Sequence, residues 1–156
     1  MLYPIAKNMK LSIFTTGINS PDLINSILKT QRMLHILFID DDSNSRLLAK
    51  LYLERKDYKV HTAKNTQRAR DLLNIIGMNL IISDIGMPKE DGIEFVKWLK
   101  KEDRYKNIPV FLISAHASNL ADLDPHSDVE FFEKPLFFLG LVDRIEYILS
   151  KNKVKK

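Results

Sequence analysis

Six polar residues lie at the ends of apolar runs. "HILFIDDDS" ends its run on Asp40, Asp41 and Asp42, and "LIISD" ends on Asp84. "VFLIS" ends on Ser114, and "FFEKP" carries Lys134 just past its aromatic pair. The steps from Asp40 are 44 residues to Asp84, 30 more to Ser114 and 20 more to Lys134. Taken singly, each has an ordinary structural reading. The Asp run can cap a helix and complement its dipole. Asp84 can be a turn residue, Ser114 a strand-end hydroxyl and Lys134 a solvated charge. Taken together, they place carboxylates, a hydroxyl and an ammonium where successive strands end.

Such a cluster needs a partner. Two like charges 4 Å apart repel by ~1 kcal/mol in water and ~4 kcal/mol at an effective dielectric of 20. Carboxylates gathered at one point take up protons, destabilise the fold or bind a cation. Mg2+ prefers hard oxygens, few carboxylates, several waters and a phosphate oxygen. A nearby ammonium and hydroxyl suit the remaining phosphoryl oxygens. This is equipment for phosphoryl transfer onto a carboxylate, where catalysis is mainly positioning and charge neutralisation.

The elements that must position these groups are legible over residues 34–150. Strand candidates are "LHILFI" (34–39), "YKVHTA" (58–63), "NLIIS" (79–83), "IPVFLIS" (108–114) and "VEFFE" (129–133). Helical patterns fall between them. In 44–56 the apolar face is Leu47, Leu48, Leu51 and Tyr52. In 65–77, Asn65 can cap the start and Gly77 the end. In 92–102, Ile93, Phe95, Val96 and Leu99 share a face, and 136–150 closes with a helical pattern. Continuously apolar central strands predict a parallel sheet covered on both faces, a three-layer α/β domain. In such a sheet functional groups collect beyond the carboxyl ends of the strands. Residues 116–128 should hold a further helix, but Pro125 and sparse apolar residues predict a short or distorted one.

Composition sets the outer limits. A chain of 156 residues, 45% hydrophobic and 28% charged, suits one domain with tails. With no Cys, disulfides and thiolate metal sites are excluded. No apolar run reaches the ~18 residues of a membrane span, and no signal-peptide layout is present, so a cytoplasmic location is expected. The net charge of +4 sits at the ends: residues 1–33 and 135–156 carry +3 each, and residues 34–134 carry −2. A basic tail such as "KNKVKK" (151–156) is ordinarily a solvated terminus, and direct nucleic-acid binding is not expected. In residues 1–33, Ser20 can cap and Pro21 can open a short helix over 20–32 with Leu23, Ile24, Ile27 and Leu28 on one face. A loosely ordered extension is the equal alternative, and Met33 is a conceivable internal start.

"HILFIDDDSNSR", "LIISDIGMPKEDG", "VFLISAH" and "FFEKPL" resemble, in order and spacing, the four signature blocks of the receiver domain of two-component response regulators. The resemblance covers residues 34–150 and implies a flavodoxin-like (βα)5 fold with a five-stranded parallel sheet in the order 2-1-3-4-5. It implies Asp84 as phosphoacceptor. Asp41, Asp84 and the main-chain carbonyl of Gly86 would ligate Mg2+, with Asp40 acting mainly through water. Asp42 falls beyond the acidic pair and keeps helix capping as its job. Lys134 would contact the phosphoryl group, across a Lys134–Pro135 bond that is cis in the family. Ser114 and Phe131 would be the switch residues, replacing the commoner Thr and Tyr. Gly86 leaves the position two past the acceptor without a side chain, and His116 is a candidate neighbour of the site.

The implied function is a single-domain response regulator in phosphorelay signalling, because no output segment follows residue 150. Its chemistry would be self-phosphorylation and self-dephosphorylation rather than enzymatic turnover. A histidine kinase or histidine phosphotransfer protein would donate, a downstream effector protein would read the result, and a phosphorylation-dependent dimer is compatible with it. A pseudo-receiver that binds partners without phosphorylation is the alternative. A haloacid dehalogenase-like phosphatase, with Asp40 as nucleophile and Asp42 as acid, is a third reading that lacks the later acidic motif and cap.

Overall fold

The computed structural model describes residues 33–115, 128–136 and 138–154. In chain order the elements are β1 (His35–Ile39), α1 (Ser43–Glu54), β2 (Lys59–Ala63), α2 (Thr66–Ile75), β3 (Leu80–Asp84), α3 (Gly92–Lys101), β4 (Val110–Ser114), β5 (Val129–Glu133) and α4 (Phe138–Val154). The strands form one parallel sheet in the order β2-β1-β3-β4-β5, as expected. The sequence-predicted helix 20–32, residues 116–127 of the one expected over 116–128, and with them His116, lie outside the described residues.

Alternation along each strand divides the core into two faces. Leu37, Ile39, Ile81 and Leu112 meet Leu72 and Leu73 of α2 and Phe95, Val96 and Leu99 of α3. Ile36, Phe38, Ile82 and Phe111 meet Ala49 and Leu53 of α1 and Leu141, Val142 and Ile145 of α4. Strands buried on both sides cannot alternate in polarity, which is why their runs read as continuously apolar.

Side chains cap three helix starts. Asp42 accepts from Asn44 N and Ser45 N, Asn65 from Arg68 N, and Asp91 from Glu94 N. Gly77 does not close α2 in a left-handed turn. The chain leaves through Ile76 in extended geometry (φ −125°, ψ 129°). The face expected for α1 needs correction. Leu47, Leu48 and Leu51 are 56%, 57% and 51% exposed, and the helix buries Ala49 and Leu53 instead. Ala49 and Leu53 are four residues apart, and the small Ala49 lets the helix lie close on the sheet.

At the sheet's β2 edge, His61 Nε2 and His35 Nδ1 lie 3.0 Å apart. One must donate and the other accept, so the contact cannot hold two imidazolium rings. Burial first, then His35, Lys59 and Lys50, lower the His61 pKa, with Glu54 opposing. The folded state then binds its proton less readily than the unfolded chain. Stability is fully present above the ordinary His pKa and is lost as pH falls through the lowered folded value. The urea midpoint should drop between about pH 7.5 and about pH 5.5, and His61→Gln should flatten that slope. An unchanged slope in the variant would remove His61 as its source.

Candidate functional site

The three acidic positions converge at the carboxyl edge of the sheet. β1 and β3 are neighbours, with Ile39 in register with Ser83, so Asp40, just past β1, and Asp84, the last residue of β3, emerge together. Asp40, Asp41 and Asp84 each bring a carboxylate oxygen within 4.8 Å of the others. Asp40 and Asp84 are buried and Asp41 is exposed. β5 delivers Lys134 past the end of β4, where its amide donates to the Ser114 carbonyl at 2.8 Å. Lys134 Nζ lies 3.2 Å from Asp84 Oδ1 and 3.4 Å from Asp40 Oδ2. The Lys134–Pro135 bond is cis.

One ammonium faces two buried carboxylates and an exposed third, which leaves the cluster net negative. Burial by itself would lower the Lys134 pKa, but Asp40 and then Asp84 outweigh it and hold the ammonium above the usual Lys range. Burial pushes the Asp40 carboxyl up, against the Asp42 amide and Lys134, which pull it down. The remaining charge calls for a cation. An octahedral Mg2+ with ~2.1 Å bonds puts adjacent ligand oxygens ~3 Å apart and opposite ones ~4.2 Å apart. The three-carboxylate set fits that span with modest side-chain adjustment or through water.

Asp42 is committed to capping α1, accepting from Asn44 N, Ser45 N and Ser45 Oγ at 3.3, 2.9 and 2.8 Å. It therefore does not supply the free acid that a dehalogenase-like phosphatase requires. Ser114 is half-buried at the end of β4, one residue past Ile113, the register partner of Asp84. Phe131 lies mid-strand in β5, opposite Leu112 and packed on the α2/α3 side of the core. Gly86 is exposed in the loop after β3.

Sequence reasoning missed two supports. Arg46, in the first turn of α1, donates from Nη1 to the main-chain carbonyls of both Asp40 and Asp41 at 2.8 Å. It fixes the course of the acidic loop, and its position six residues past Asp40 was the available signal. Arg70 of α2 grips Glu90 in the loop after β3 at 2.7 Å through Nη1 and Nη2. Twenty residues separate that pair, and no local pattern marks it. Beside the acidic centre, a cleft of about 230 Å³ runs from Asp40 and Lys134 to Leu48, Leu136 and Phe138. Among the described residues no helix is long and apolar enough to cross a membrane.

Comparison with known proteins agrees with this geometry. A family model described as the response regulator receiver domain matches residues 36–144. The transcriptional regulatory protein SrrA of Staphylococcus aureus is 28% identical over 120 residues, covering 75% of this chain and 48% of that protein. The chain thus spans about half the length of the curated relatives it matches. The response regulator TrrA of Thermotoga maritima, solved in complex with Mg(2+)-BeF, is 28% identical, with a TM-score of 0.66 over 74% of this chain and 99% of that one. A CheY-like receiver domain protein of Methanospirillum hungatei, 22% identical, has a TM-score of 0.72 over 80% of this chain and 99% of that one, and speaks for the fold alone.

Proposed function

The chain belongs to the receiver-domain family of response regulators in two-component signalling, and from that membership we propose that Asp84 accepts a phosphoryl group with Mg2+ at its side. The observation that carries the reading is Lys134 Nζ bridging Asp84 and Asp40 at 3.2 and 3.4 Å beside a third carboxylate. Asp40, Asp41, Asp84 and the carbonyl of Gly86 would hold the ion. When bound, it supplies positive charge that screens the attacking carboxylate from the phosphoryl oxygens.

In the proposed reaction an Asp84 carboxylate oxygen attacks phosphorus of a phosphohistidine or a small phosphodonor. The new O–P bond forms as the donor's bond to phosphorus breaks, N–P in phosphohistidine or O–P in acetyl phosphate, and its electron pair goes to the leaving imidazole or acetate. Lys134 turns from the Asp carboxylates toward the incoming phosphoryl oxygens. The acyl phosphate carries ~1.5–2 negative charges in place of the carboxylate's one, so Asp84 gains about one charge or less together with new acceptor oxygens. Ser114 would follow as hydrogen-bond donor and Phe131 as the packing element, altering the surface near β4 and β5 that an effector reads. Water then cleaves the acyl phosphate to carboxylate and inorganic phosphate. The chain would act as a signalling phosphoacceptor rather than a turnover enzyme.

The donor's seat is also suggested by the surface. Leu47, Leu48 and Leu51 are exposed along α1, Leu139 is 71% exposed on α4, and the cleft between reaches Asp40 and Lys134. A donor protein carrying its phosphohistidine on an apolar helix face would cover them while presenting phosphorus to Asp84. Labelling by acetyl phosphate should require Mg2+, and Leu48→Asp should leave that labelling intact while slowing transfer from a phosphorylated histidine protein about tenfold or more. Equal slowing with both donors would sink the docking assignment, and Mg2+-independent labelling would sink the metal assignment.

A further inference from the structure

The loop after β3 leaves Asp84 and is held near its origin by main-chain bonds. The amides of Met87 and Gly92 both donate to the Ile85 carbonyl, at 2.9 and 3.0 Å. Its outer part is held from a different element. Glu90 accepts from Arg70 Nη1 and Nη2 at 2.7 Å each, and from the hydroxyl of the buried Thr66. The Arg70 guanidinium lies over the ring of Trp98 at 4.4 Å and that of Phe95 at 5.5 Å, both on α3. One planar cation therefore joins α2, α3 and the loop. A bidentate Arg–carboxylate pair fixes direction as well as distance. Stacking on the indole restrains the guanidinium from its other side. Immediately before Glu90, Lys89 has φ 76°, a left-handed conformation that a non-glycine residue keeps only when its surroundings demand it.

We infer that Arg70 and Glu90 form a positioning latch, holding the loop of residues 85–91 in the course that sets Gly86 beside Asp84. The latch acts through the loop backbone and touches neither the ion nor the phosphoryl group. It rests on the function proposed above for Asp84 and adds the residues that pre-organise its surroundings. Outer groups that orient ligands characteristically tune metal affinity by 10-fold or more. Arg70→Lys keeps the charge but loses the fork and the flat stacking surface, so it should not restore the latch.

The test has a metal-free and a metal-bound arm. In the metal-free protein, Arg70→Ala and Glu90→Ala should each speed hydrogen exchange at the Met87 and Gly92 amides. Titration calorimetry should then show Mg2+ affinity falling by about tenfold in each variant. The double variant should lose little more than either single one, because both remove the same contact. Labelling by acetyl phosphate should recover at saturating Mg2+. Unchanged exchange and unchanged affinity with a lowered melting temperature would reduce the pair to a structural tie and overturn the latch. If wild-type protein takes no phosphoryl group at Asp84, the functional reading fails by itself, and the exchange arm still decides whether the pair holds the loop.

Discussion

Asp84→Asn protein should take no phosphoryl group from acetyl phosphate or from a phosphorylated histidine protein, while remaining folded. The carboxamide matches the carboxylate in shape, so packing at this buried position is kept. Its oxygen is a poor nucleophile, and one metal-binding charge is lost. Intact-protein mass spectrometry should find wild type carrying one added phosphoryl group and the variant at background. Stability should change little. Neutralising Asp84 relieves its repulsion with Asp40 but also removes its ion pair with Lys134 at 3.2 Å, and the two effects oppose each other. A variant labelled as fast and as fully as wild type would refute Asp84 as acceptor. Labelling that moves to Asp40 or Asp41 would show instead that the site, rather than the residue, determines reactivity.

Gly92→Ala should be the most damaging small substitution near the site. Gly92 opens α3, and a Cβ there would lie 2.4 Å from the Asp84 carbonyl oxygen and 3.0 Å from the Ile85 Cα. Both obstacles are backbone, so no side-chain rotation relieves the clash. Either the helix start or the acceptor's own peptide must move. The cost should reach at least the ~1–3 kcal/mol of an overpacked core. Because the displaced peptide belongs to Asp84, phosphoryl acceptance should fall along with the urea midpoint. Gly86→Ala is the control: a Cβ there meets nothing within 4 Å, and stability should stay within about 0.5 kcal/mol. Its effect should appear instead in the lifetime of the acyl phosphate proposed at Asp84, two residues before it. Equal stability losses in both variants would contradict the close-approach account of Gly92.

Some of the fold was legible because local physics and tertiary structure agree. "VEFFE" spans β5 residue for residue, and Asn65 caps α2 as its chemistry predicts. α1 was misread because its leucines outnumber the residues it buries. Counting apolar positions favours Leu47, Leu48 and Leu51, whereas contact with the sheet favours the compact pair Ala49 and Leu53. Of those exposed leucines, Leu48 lines the cleft beside Asp40 and Lys134. Gly92 stands in the sequence only as the first residue of the 92–102 helical pattern, and the distance to the Asp84 carbonyl identifies it as a point of close approach.

By itself the sequence determined the alternation of apolar strands and helical stripes, the parallel layering that follows from it, and the acidic and basic residues at the strand ends. These are local properties, set by side-chain type and period. Tertiary structure alone decided which of those end groups meet. Asp40, Asp84 and Lys134 are separated by 94 residues from first to last, yet one ammonium lies within 3.4 Å of both carboxylates. The order β2-β1-β3-β4-β5 sets β1 beside β3 and brings Lys134 back over the end of β4. It also decided the contact of Arg70 with Glu90, because an ion pair between a helix and a distant loop leaves no periodic trace in the chain.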